Sequence, residues 1–396
     1  AATSDAGTDR EPEPFSRLAT VVPCVYDFVV VGAGPAGSRF ARRAAEAGRE
    51  VLLVESGTVG EPLACSGHVS TDLWEYVDAG AVDRLRQNRV FGARFHVGGP
   101  GSGSYPFYKQ DPVSNVIDRV GLDRTLADLA EEAGADLREG HTVTDVDERD
   151  DRGVVEASLA DGDTERFEAR MVAGCDGPTS RVRRALDLPE PDELLHGVLA
   201  FDEEADAGDY VDVHLTAPTF FAWRIPRGDA GVEYGLAAPP SEDVSARFDR
   251  LTDAYGATTE RRCSGAIPVG PPARTTSDRG FLIGDAAAQT KPFTGGGILY
   301  GMRAADVAAA SIDPRGPATL AEYESGWREE LATEIRLGKA IRRCYSLPEP
   351  VQRLGLRALS GEIGVHMDEP SSFFSASNLR SLFSRGAPPE RKRRGD

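Results

Sequence analysis

Residues 29–37 read VVVGAGPAG and place three glycines, Gly32, Gly34 and Gly37, directly after an apolar run. The run from Tyr26 to Val31 is short and continuous, as is typical of a buried parallel strand. Glycines in the turn after such a strand let the backbone approach a pyrophosphate, whose charge is stabilised by the N-terminus of the next helix. The stretch therefore predicts a Rossmann-like nucleotide-binding fold of the α/β class.

The residues after this loop complete a strand-helix-strand unit. Apolar residues recur at helical spacing from Phe40 to Ala47, and Gly48 marks the end of that helix. The buried strand Val51 to Val54 follows, and Glu55 stands at its end, 18 residues after Gly37. A carboxylate at this point accepts hydrogen bonds from a ribose diol. The unit predicts a bound dinucleotide and leaves FAD and NAD both open.

A second segment, GDAAAQTKPFTGGGI at residues 284–298, separates the two cofactors. Asp285 follows the predicted strand Phe281 to Ile283, where a carboxylate reaches the ribityl hydroxyls or the pyrophosphate of a flavin. Gly295 to Gly297 then open a predicted helix that runs to Ala310. A helix N-terminus in this place stabilises the negative charge of a reduced flavin. The segment therefore predicts FAD.

A third segment, GCDGPTSRVRRAL at residues 174–186, follows the predicted strand Met171 to Ala173. A strand, an Asp-Gly turn and a helix rich in arginine are compatible with binding a second dinucleotide. They are equally compatible with bracing the first site from behind. Asp176 and Arg183 therefore carry two interpretations, one as ligand contacts and one as structural residues.

The charge of the chain excludes one class of partner. Its 45 lysines and arginines face 64 acidic residues, which gives a net charge of −19, and only Lys109, Lys291, Lys339 and Lys392 are lysines. Nucleic-acid binding needs a cationic face, so it is not expected. An acidic, lysine-poor surface instead predicts an extreme halophile, where salt screens the repulsion. An ordinary acidic protein is the alternative.

The five cysteines are scattered without a CxxC pair, which predicts neither a disulfide framework nor a metal site. No apolar run reaches the roughly 20 residues of a membrane-spanning helix. The first 18 residues are polar and lack the pattern of a secretion signal. A soluble, cytoplasmic monomer is expected.

Changes in the sequence pattern predict how the chain is divided. Short strands separated by Gly, Pro and Asp between Glu190 and Pro272 indicate an inserted antiparallel sheet. The predicted divisions are a disordered extension (1–24), an FAD-binding domain (25–70, 112–189 and 273–318), a substrate domain (71–111 and 190–272), a C-terminal helical region (319–384) and a basic disordered tail (385–396).

In order and spacing, the three segments resemble the geranylgeranyl reductases, flavoproteins that saturate isoprenoid double bonds. The resemblance spans roughly residues 26–345, and it implies an FAD-binding domain like that of glutathione reductase and the aromatic hydroxylases. It implies reduction of geranylgeranyl C=C bonds in archaeal membrane lipids, as in digeranylgeranylglycerophospholipid reductases, or in a prenylated quinone. NAD(P)H or a ferredoxin is the implied electron donor. A lipid substrate and the basic residues Arg391 to Arg394 further suggest peripheral contact at the inner face of the membrane.

The resemblance also implies individual flavin contacts. The loop GEPLACSGHVS is similar to the family's cysteine-bearing loop beside the isoalloxazine, and Arg119 and Val143 are similar to its flavin-binding arginine and its adenine-side backbone contact. Arg119 opens a predicted helix, where a cation is disfavoured unless an anion compensates it. The implied cofactor contacts are Gly32, Gly34, Ala36, Gly37, Glu55, Cys65, Ser66, His68, Arg119, Val143, Asp285, Gly297 and Ile298.

The segment PTFFAWRIP at residues 218–226 resembles the family's substrate motif, which lines the isoprenoid channel. It makes Phe221 and Trp223, together with Cys65, the predicted catalytic residues. Phe221 stands where the family usually has Tyr and Ile225 where it has Phe, so a phenol is lost while the wall stays apolar. Without a flavin nearby, alternating aromatic residues on a strand are commonly core.

Two further positions depart from the family pattern. His68 replaces a glycine of the cysteine-bearing loop, and Lys291 stands where an acidic or amide residue is expected. A lysine near the flavin raises its reduction potential by favouring the negatively charged reduced form.

Two other functions stay open at this point. The segment also resembles the pattern of flavin-dependent halogenases, two aromatic residues followed by Ile225 and Pro226, which makes a flavin monooxygenase or halogenase the alternative enzyme. Halogenases use a lysine placed for hypohalous acid, and the only lysine in the first half of this chain is Lys109. A non-enzymatic electron-transfer flavoprotein is the third interpretation, without an iron–sulfur centre of its own.

Overall fold

The computed structural model describes residues 25–62, 65–362 and 369–371. The strands are β1 (Val25–Val31), β2 (Val51–Val54), β3 (His68–Ser70), β4 (Arg86–Val90), β5 (Gly92–His96), β6 (Ser104–Tyr108), β7 (Ser114–Ile117), β8 (Asp136–Arg138), β9 (Thr142–Glu148), β10 (Gly153–Ser158), β11 (Thr164–Gly174), β12 (Glu193–Asp202), β13 (Tyr210–His214), β14 (Ala222–Pro226), β15 (Val232–Ala238), β16 (Arg261–Val269) and β17 (Gly280–Leu282). The helices are α1 (Pro35–Glu46), α2 (Ala79–Leu85), α3 (Arg119–Glu132), α4 (Arg181–Ala185), α5 (Val244–Tyr255), α6 (Ile298–Ser311), α7 (Leu320–Arg343) and α8 (Glu349–Leu359).

The first sheet forms the nucleotide-binding half of the molecule. Its order is β8-β2-β1-β11-β10-β9, and β17 pairs with the far part of β11. The strands β8, β2, β1, β11 and β17 run parallel, whereas β9, β10 and the first half of β11 form an antiparallel meander. The predicted Rossmann-like α/β fold is confirmed. The strand predicted at Met171 to Ala173 is longer, because the first half of β11 pairs with β10.

Alternate side chains along β1 point to opposite faces of this sheet and pack into two different cores. Phe28 and Val30 point into a core that contains Phe40 of α1 and Phe281 of β17, and the Phe28 and Phe40 rings meet edge to face at 5.1 Å. The next residues in the strand, such as Val29, point into the opposite core under the meander and α4. Because both faces are covered, β1 is the continuous apolar run that the sequence shows.

The second sheet is the inserted one, with the order β16-β12-β15-β14-β13-β5-β6. It is antiparallel as predicted except for one pair, since β5 and β13 run parallel. Its outer face is covered by α5, whose Phe248 packs with Tyr234 and Leu236 of β15. Its inner face turns toward the first sheet.

Residues 71–111, which the sequence predicts to belong to the substrate domain, contribute to three parts of the structure. The 3-10 turn Thr71–Glu75 and α2 pack on α3 and α6, where Leu73 and Leu85 share a core with Leu122 and Met302. Strand β4 joins β3 and β7 in a separate three-stranded sheet. The 3-10 turn and α2 pack here because their apolar side chains fit the apolar side of α3, which lies later in the sequence. The part of 71–111 that does join the second sheet is β5 and β6.

The C-terminal helices close the first core. Trp327 of α7 donates a hydrogen bond from Nε1 to Thr275 Oγ1 at 3.1 Å, and Tyr323 donates to the Leu282 carbonyl at 2.6 Å. The extension predicted at 1–24, the tail at 385–396 and the part of the 319–384 region beyond 362 lie outside the described residues, apart from 369–371. Among the residues that are described, no helix is both long and apolar enough to cross a membrane.

Candidate active site

The three glycines of the first loop serve different purposes. Gly32 has a φ of +99°, and a Cβ there would lie 2.5 Å from the Cys175 carbonyl oxygen. A Cβ on Gly37 would lie 2.0 Å from the Gly32 carbonyl oxygen, so this glycine lets α1 pack against the turn. A Cβ on Gly34 would meet no atom within 4 Å. Gly34 thus opens onto free space at the N-terminus of α1, as a phosphate site requires.

Glu55 lies beside this loop at the end of β2. Its Oε2 accepts a hydrogen bond from the backbone N–H of Ala33 at 2.8 Å, and its Oε1 accepts one from Ser56 N–H at 2.8 Å. The carboxylate is therefore held next to Gly34 by backbone donors. A ribose diol bound beside Gly34 would donate its hydrogen bonds to the same carboxylate.

Asp285 and the start of α6 stand on the other side of the loop. A Cβ on Gly284 would lie 2.9 Å from the Cβ of Ala36, and one on Gly297 would lie 2.3 Å from Asp285 Oδ1. No side chain caps α6, so its first N–H groups are left for a ligand. Burial raises the pKa of Asp285 to about 6, against the opposing effect of Arg119.

Arg119 is buried at the first position of α3, as the sequence predicted. It forms an ion pair with Asp123, one turn along the helix, while its Nε has no hydrogen-bond partner within the described residues. It also interacts with Cys65, which borders the cavity. Cys65 itself is exposed, and desolvation of its thiol by the surrounding protein raises the thiol pKa, while Arg119 acts in the opposite direction.

A single cavity of about 630 Å³ connects these groups to the second sheet. Ser66 and His68 lie in its wall, and a hydrogen bond of 2.7 Å joins His68 Nε2 to Ser114 Oγ. Ile298 borders the same space. The cavity is long enough to reach from Gly34 to the inner face of β14.

The far wall of the cavity is aromatic. The rings of Phe221 and Trp223 meet edge to face at 5.7 Å, and Tyr345 meets Phe221 at 5.8 Å. Tyr345 follows α7 in the chain and donates a hydrogen bond to the Phe293 carbonyl at 2.9 Å. Tyr345 could not be found from the sequence, because nothing local relates the end of α7 to β14.

Glu233 lies behind this wall and is fully buried. Its Oε1 accepts a hydrogen bond from Trp223 Nε1 at 2.9 Å, and its Oε2 lies 3.4 Å from Arg227 Nη1. The carboxylate also contacts the Ser66 hydroxyl and the Gly67 backbone. Burial raises the pKa of Glu233, and these partners counteract that effect. One carboxylate thus joins the aromatic wall to the cysteine-bearing loop.

Comparison with known proteins identifies the family of this chain. Residues 25–197 match the family model of the FAD binding domain. The digeranylgeranylglycerophospholipid reductase 1 of Methanococcoides burtonii is 31% identical over 354 residues, which cover 81% of this chain and 84% of that protein. This chain belongs to the digeranylgeranylglycerophospholipid reductase family.

Two solved structures share the fold of this reductase family member. A geranylgeranyl bacteriochlorophyll reductase-like protein from Thermoplasma acidophilum matches with a TM-score of 0.75 at 22% identity, covering 91% of this chain and 96% of that chain. A p-nitrophenol 4-monooxygenase from Pseudomonas putida matches with a TM-score of 0.67 at 18% identity, covering 91% and 97%. The predicted aromatic-hydroxylase-like FAD-binding fold is confirmed.

The residues of this reductase fit FAD. Gly34 leaves room for the pyrophosphate, and within the described part of the chain Arg119 Nε has no hydrogen-bond partner and no side chain caps the N-terminus of α6. Most of the predicted contacts border the cavity, while Gly32 and Gly37 shape the turn behind it. The members that border it are Gly34, Ala36, Glu55, Cys65, Ser66, His68, Arg119, Phe221, Trp223, Asp285, Gly297 and Ile298.

Val143 is placed differently from the other predicted contacts. Its side chain is buried in the core under the meander, and it does not border the cavity. Its carbonyl accepts a hydrogen bond from Arg181 Nη1 at 2.7 Å. The backbone contact of Val143 with the adenine stays a prediction.

The third sequence segment braces the site. Asp176 accepts hydrogen bonds from the Arg181 and Val182 N–H groups, at 2.6 and 3.1 Å, and thereby caps α4. Arg183 is buried and donates to the Ala286 carbonyl at 3.0 Å, which ties α4 to the turn that carries Asp285. The structural interpretation of Asp176 and Arg183 accounts for these contacts.

Lys291 is buried in the cavity wall beside the glycine run. A Cβ on Gly296 would lie 2.8 Å from Lys291 Cε, and the Lys291 carbonyl accepts a hydrogen bond from Gly295 N–H at 2.8 Å. The lysine therefore stands next to the start of α6, where the sequence placed the flavin.

Proposed function

We propose that this chain is an FAD-dependent reductase that saturates the C=C bonds of geranylgeranyl groups in an archaeal-type membrane lipid or a prenylated quinone. The observation that carries the proposal is the continuity of the cavity. At one end lie the glycine loop, Asp285 and the start of α6, and at the other lie Phe221 and Trp223. A polyisoprenoid chain against the aromatic wall would place an alkene beside the cofactor.

Different residues of the chain would carry out different parts of this reaction. When bound and reduced, FAD supplies the hydride for alkene reduction. Phe221 and Trp223 hold the apolar chain and exclude water, which keeps the reacting bond in a region of low dielectric. A proton must reach the second alkene carbon, and Cys65 is placed to supply one because it borders the cavity beside Arg119.

Anaerobic reoxidation tests the reaction. The purified holoprotein is reduced with dithionite in molar salt without oxygen, and a geranylgeranyl lipid is added. Reoxidation of the flavin with a saturated product supports the reductase. Reoxidation only by oxygen, with a hydroxylated or halogenated product, identifies a monooxygenase or halogenase. Reoxidation only by a quinone or a partner protein identifies an electron-transfer flavoprotein.

Matched variants test the residues. Trp223→Leu should raise the KM for the lipid at least tenfold, whereas Trp74→Leu, outside the cavity, should not change it. Cys65→Ala should lower kcat while Cys344→Ala leaves it unchanged. Undiminished turnover by Cys65→Ala would remove the thiol from the reaction.

The proposed lipid substrate also suggests work at a membrane surface. The described residues contain no helix that could cross a bilayer. Contact would then be peripheral, with the isoprenoid chain passing from the membrane into the cavity.

A further inference from the structure

Helix α8 exposes apolar side chains to solvent and buries a polar one. All four large apolar side chains that are exposed within the described residues lie on or just before this helix, with exposed fractions of 42% for Leu347, 48% for Val351, 70% for Leu354 and 37% for Leu359. The polar Gln352, by contrast, is buried. Leu359 lies seven residues after Gln352 and therefore on the same side of the helix. We call Leu347, Val351 and Leu354 the α8 face. Neighbouring exposed apolar side chains mark a binding surface rather than an ordinary helix exterior.

The buried side of α8 explains this orientation. Gln352 Nε2 donates a hydrogen bond to the Tyr345 carbonyl at 2.8 Å, and Arg353 Nη2 donates to the Val97 carbonyl at 2.8 Å. These two polar contacts fix the helix to the protein. Val351 and Leu354 are three residues apart in α8 and share one side of the helix. That side must therefore face outward.

The α8 face is continuous with the cavity wall. Before the helix stands Tyr345, which borders the cavity. After it, Gly361 pairs with Phe107, and its carbonyl accepts a hydrogen bond from Tyr108 N–H at 3.1 Å. Phe107 and Tyr108 also border the cavity. Both ends of α8 are thus attached to residues that line the cavity.

The charge around α8 is opposite to that of the rest of the chain. Residues 336–360 carry six arginines and lysines and one glutamate, although the whole chain has a net charge of −19. Arg343 and Arg357 are exposed. Three of the six cations, Lys339, Arg342 and Arg353, form ion pairs with Asp192, Glu193 and Glu349. The remaining cations, beside exposed leucine and valine, match an interfacial helix that binds anionic lipid headgroups.

We infer that the α8 face is the surface by which this protein docks on an anionic lipid bilayer. The apolar side chains enter the headgroup boundary while Arg343 and Arg357 meet lipid phosphates. Docking brings the cavity wall at Tyr345 next to the membrane. The inference rests on the proposed lipid substrate, because it gives the docked protein a reason to have its cavity at this surface.

Vesicle binding of the full-length holoprotein tests the inference. Phosphatidylglycerol and phosphatidylcholine vesicles are compared by co-sedimentation at low and molar salt. The wild-type protein should bind phosphatidylglycerol more strongly at low salt. The double variant Val351→Glu/Leu354→Glu should bind at least tenfold less than wild type at both salt concentrations. Arg343→Gln/Arg357→Gln should bind less than wild type at low salt and equally at molar salt. Adding the same charges elsewhere, in Ala47→Glu/Ala310→Glu, should change nothing.

Several results would overturn the inference. One is vesicle binding by Val351→Glu/Leu354→Glu at the wild-type level. Another is binding that depends only on Arg391 to Arg394, measured by replacing those residues with glutamine. A third is a wild-type dimer that the double variant converts to a monomer, because a second copy would then cover the α8 face.

Activity distinguishes this inference from the proposed function. Val351→Glu/Leu354→Glu should reduce a detergent-dispersed geranylgeranyl lipid at the wild-type rate, since neither residue borders the cavity. It should be slow only with vesicle-embedded substrate. If the wild-type protein reduces no dispersed lipid, the proposed function fails, whatever the vesicles show.

Discussion

Substitution of two glycines in the same loop separates a cofactor contact from a packing contact. Gly34 has φ and ψ of −69° and −179°, an extended conformation that any residue adopts, and a Cβ there would meet no atom within 4 Å. A Cβ on Gly37 would lie 2.0 Å from the Gly32 carbonyl oxygen. We therefore expect Gly34→Ala to affect FAD binding and Gly37→Ala to affect folding.

The expected magnitudes differ accordingly. For Gly34→Ala, the loss of a good helix N-cap and the lower entropy of the unfolded chain are each worth about 0.5–1 kcal/mol with opposite signs, so the stability of the apoprotein should stay within about 1 kcal/mol of wild type. The added methyl group occupies the space of the pyrophosphate, and a loss of about 2.7 kcal/mol would weaken FAD binding about 100-fold. For Gly37→Ala, α1 must move away from the turn, which costs about 1–3 kcal/mol of apoprotein stability.

Two measurements on each variant check these values. Urea unfolding of the apoprotein, followed by circular dichroism, gives the stability. Titration with FAD, followed by flavin fluorescence, gives the affinity. Wild-type FAD affinity in Gly34→Ala would show that no phosphate approaches Gly34. Equal destabilisation of the apoprotein by both substitutions would show that the space beside Gly34 closes without ligand.

Four further predictions concern buried residues with ionisable side chains. Glu233→Gln removes the charge that faces a buried arginine and should lower the unfolding free energy by about 3–5 kcal/mol in urea denaturation. Lys291→Glu should lower the flavin reduction potential in a spectroscopic redox titration, whereas Lys339→Glu on the surface of α7 should leave it unchanged. Because burial raises the pKa of Asp285 to about 6, FAD binding that needs its carboxylate should weaken roughly tenfold per pH unit below that pH, and Asp285→Asn should remove this dependence. Burial lowers the pKa of His214 to about 4, so the folded state resists its protonation, and the unfolding free energy should fall by about 2 kcal/mol from pH 7 to pH 5 in the wild type but not in His214→Asn.

Several residues that the sequence predicts around the flavin border one cavity in the structure, and the segments that carry them are local. Gly32, Gly34 and Gly37 lie within one strand, turn and helix, and Asp285 follows its strand directly. Parallel strands bring their carboxyl ends to one edge of a sheet, so such segments meet in space wherever they stand in the chain. Local pattern and fold topology together were sufficient.

The same reasoning could not predict the far wall. Glu233 looks like an ordinary acidic residue in the sequence, and its burial depends on the way β15 lies against β14 and the cysteine-bearing loop. Tyr345 meets Phe221 only because α7 returns across the molecule. The packing of the 3-10 turn and α2 on α3 is likewise not visible in the local sequence, because α3 comes later in the chain.

The aromatic wall also bears on which part of a lipid substrate lies there. Phe221 has no phenol, and the phenol of Tyr345 beside it is already engaged with the Phe293 carbonyl. Trp223 likewise directs its N–H away from the cavity, to Glu233. Phe221 therefore has no polar side-chain atom to recognise a headgroup, and the polar atoms of Tyr345 and Trp223 are already hydrogen-bonded within the protein. Desolvating a phosphate against such a surface is unfavourable, whereas an isoprenoid chain loses nothing there. The wall thus favours the hydrocarbon chain, and the polar end of the substrate should lie elsewhere.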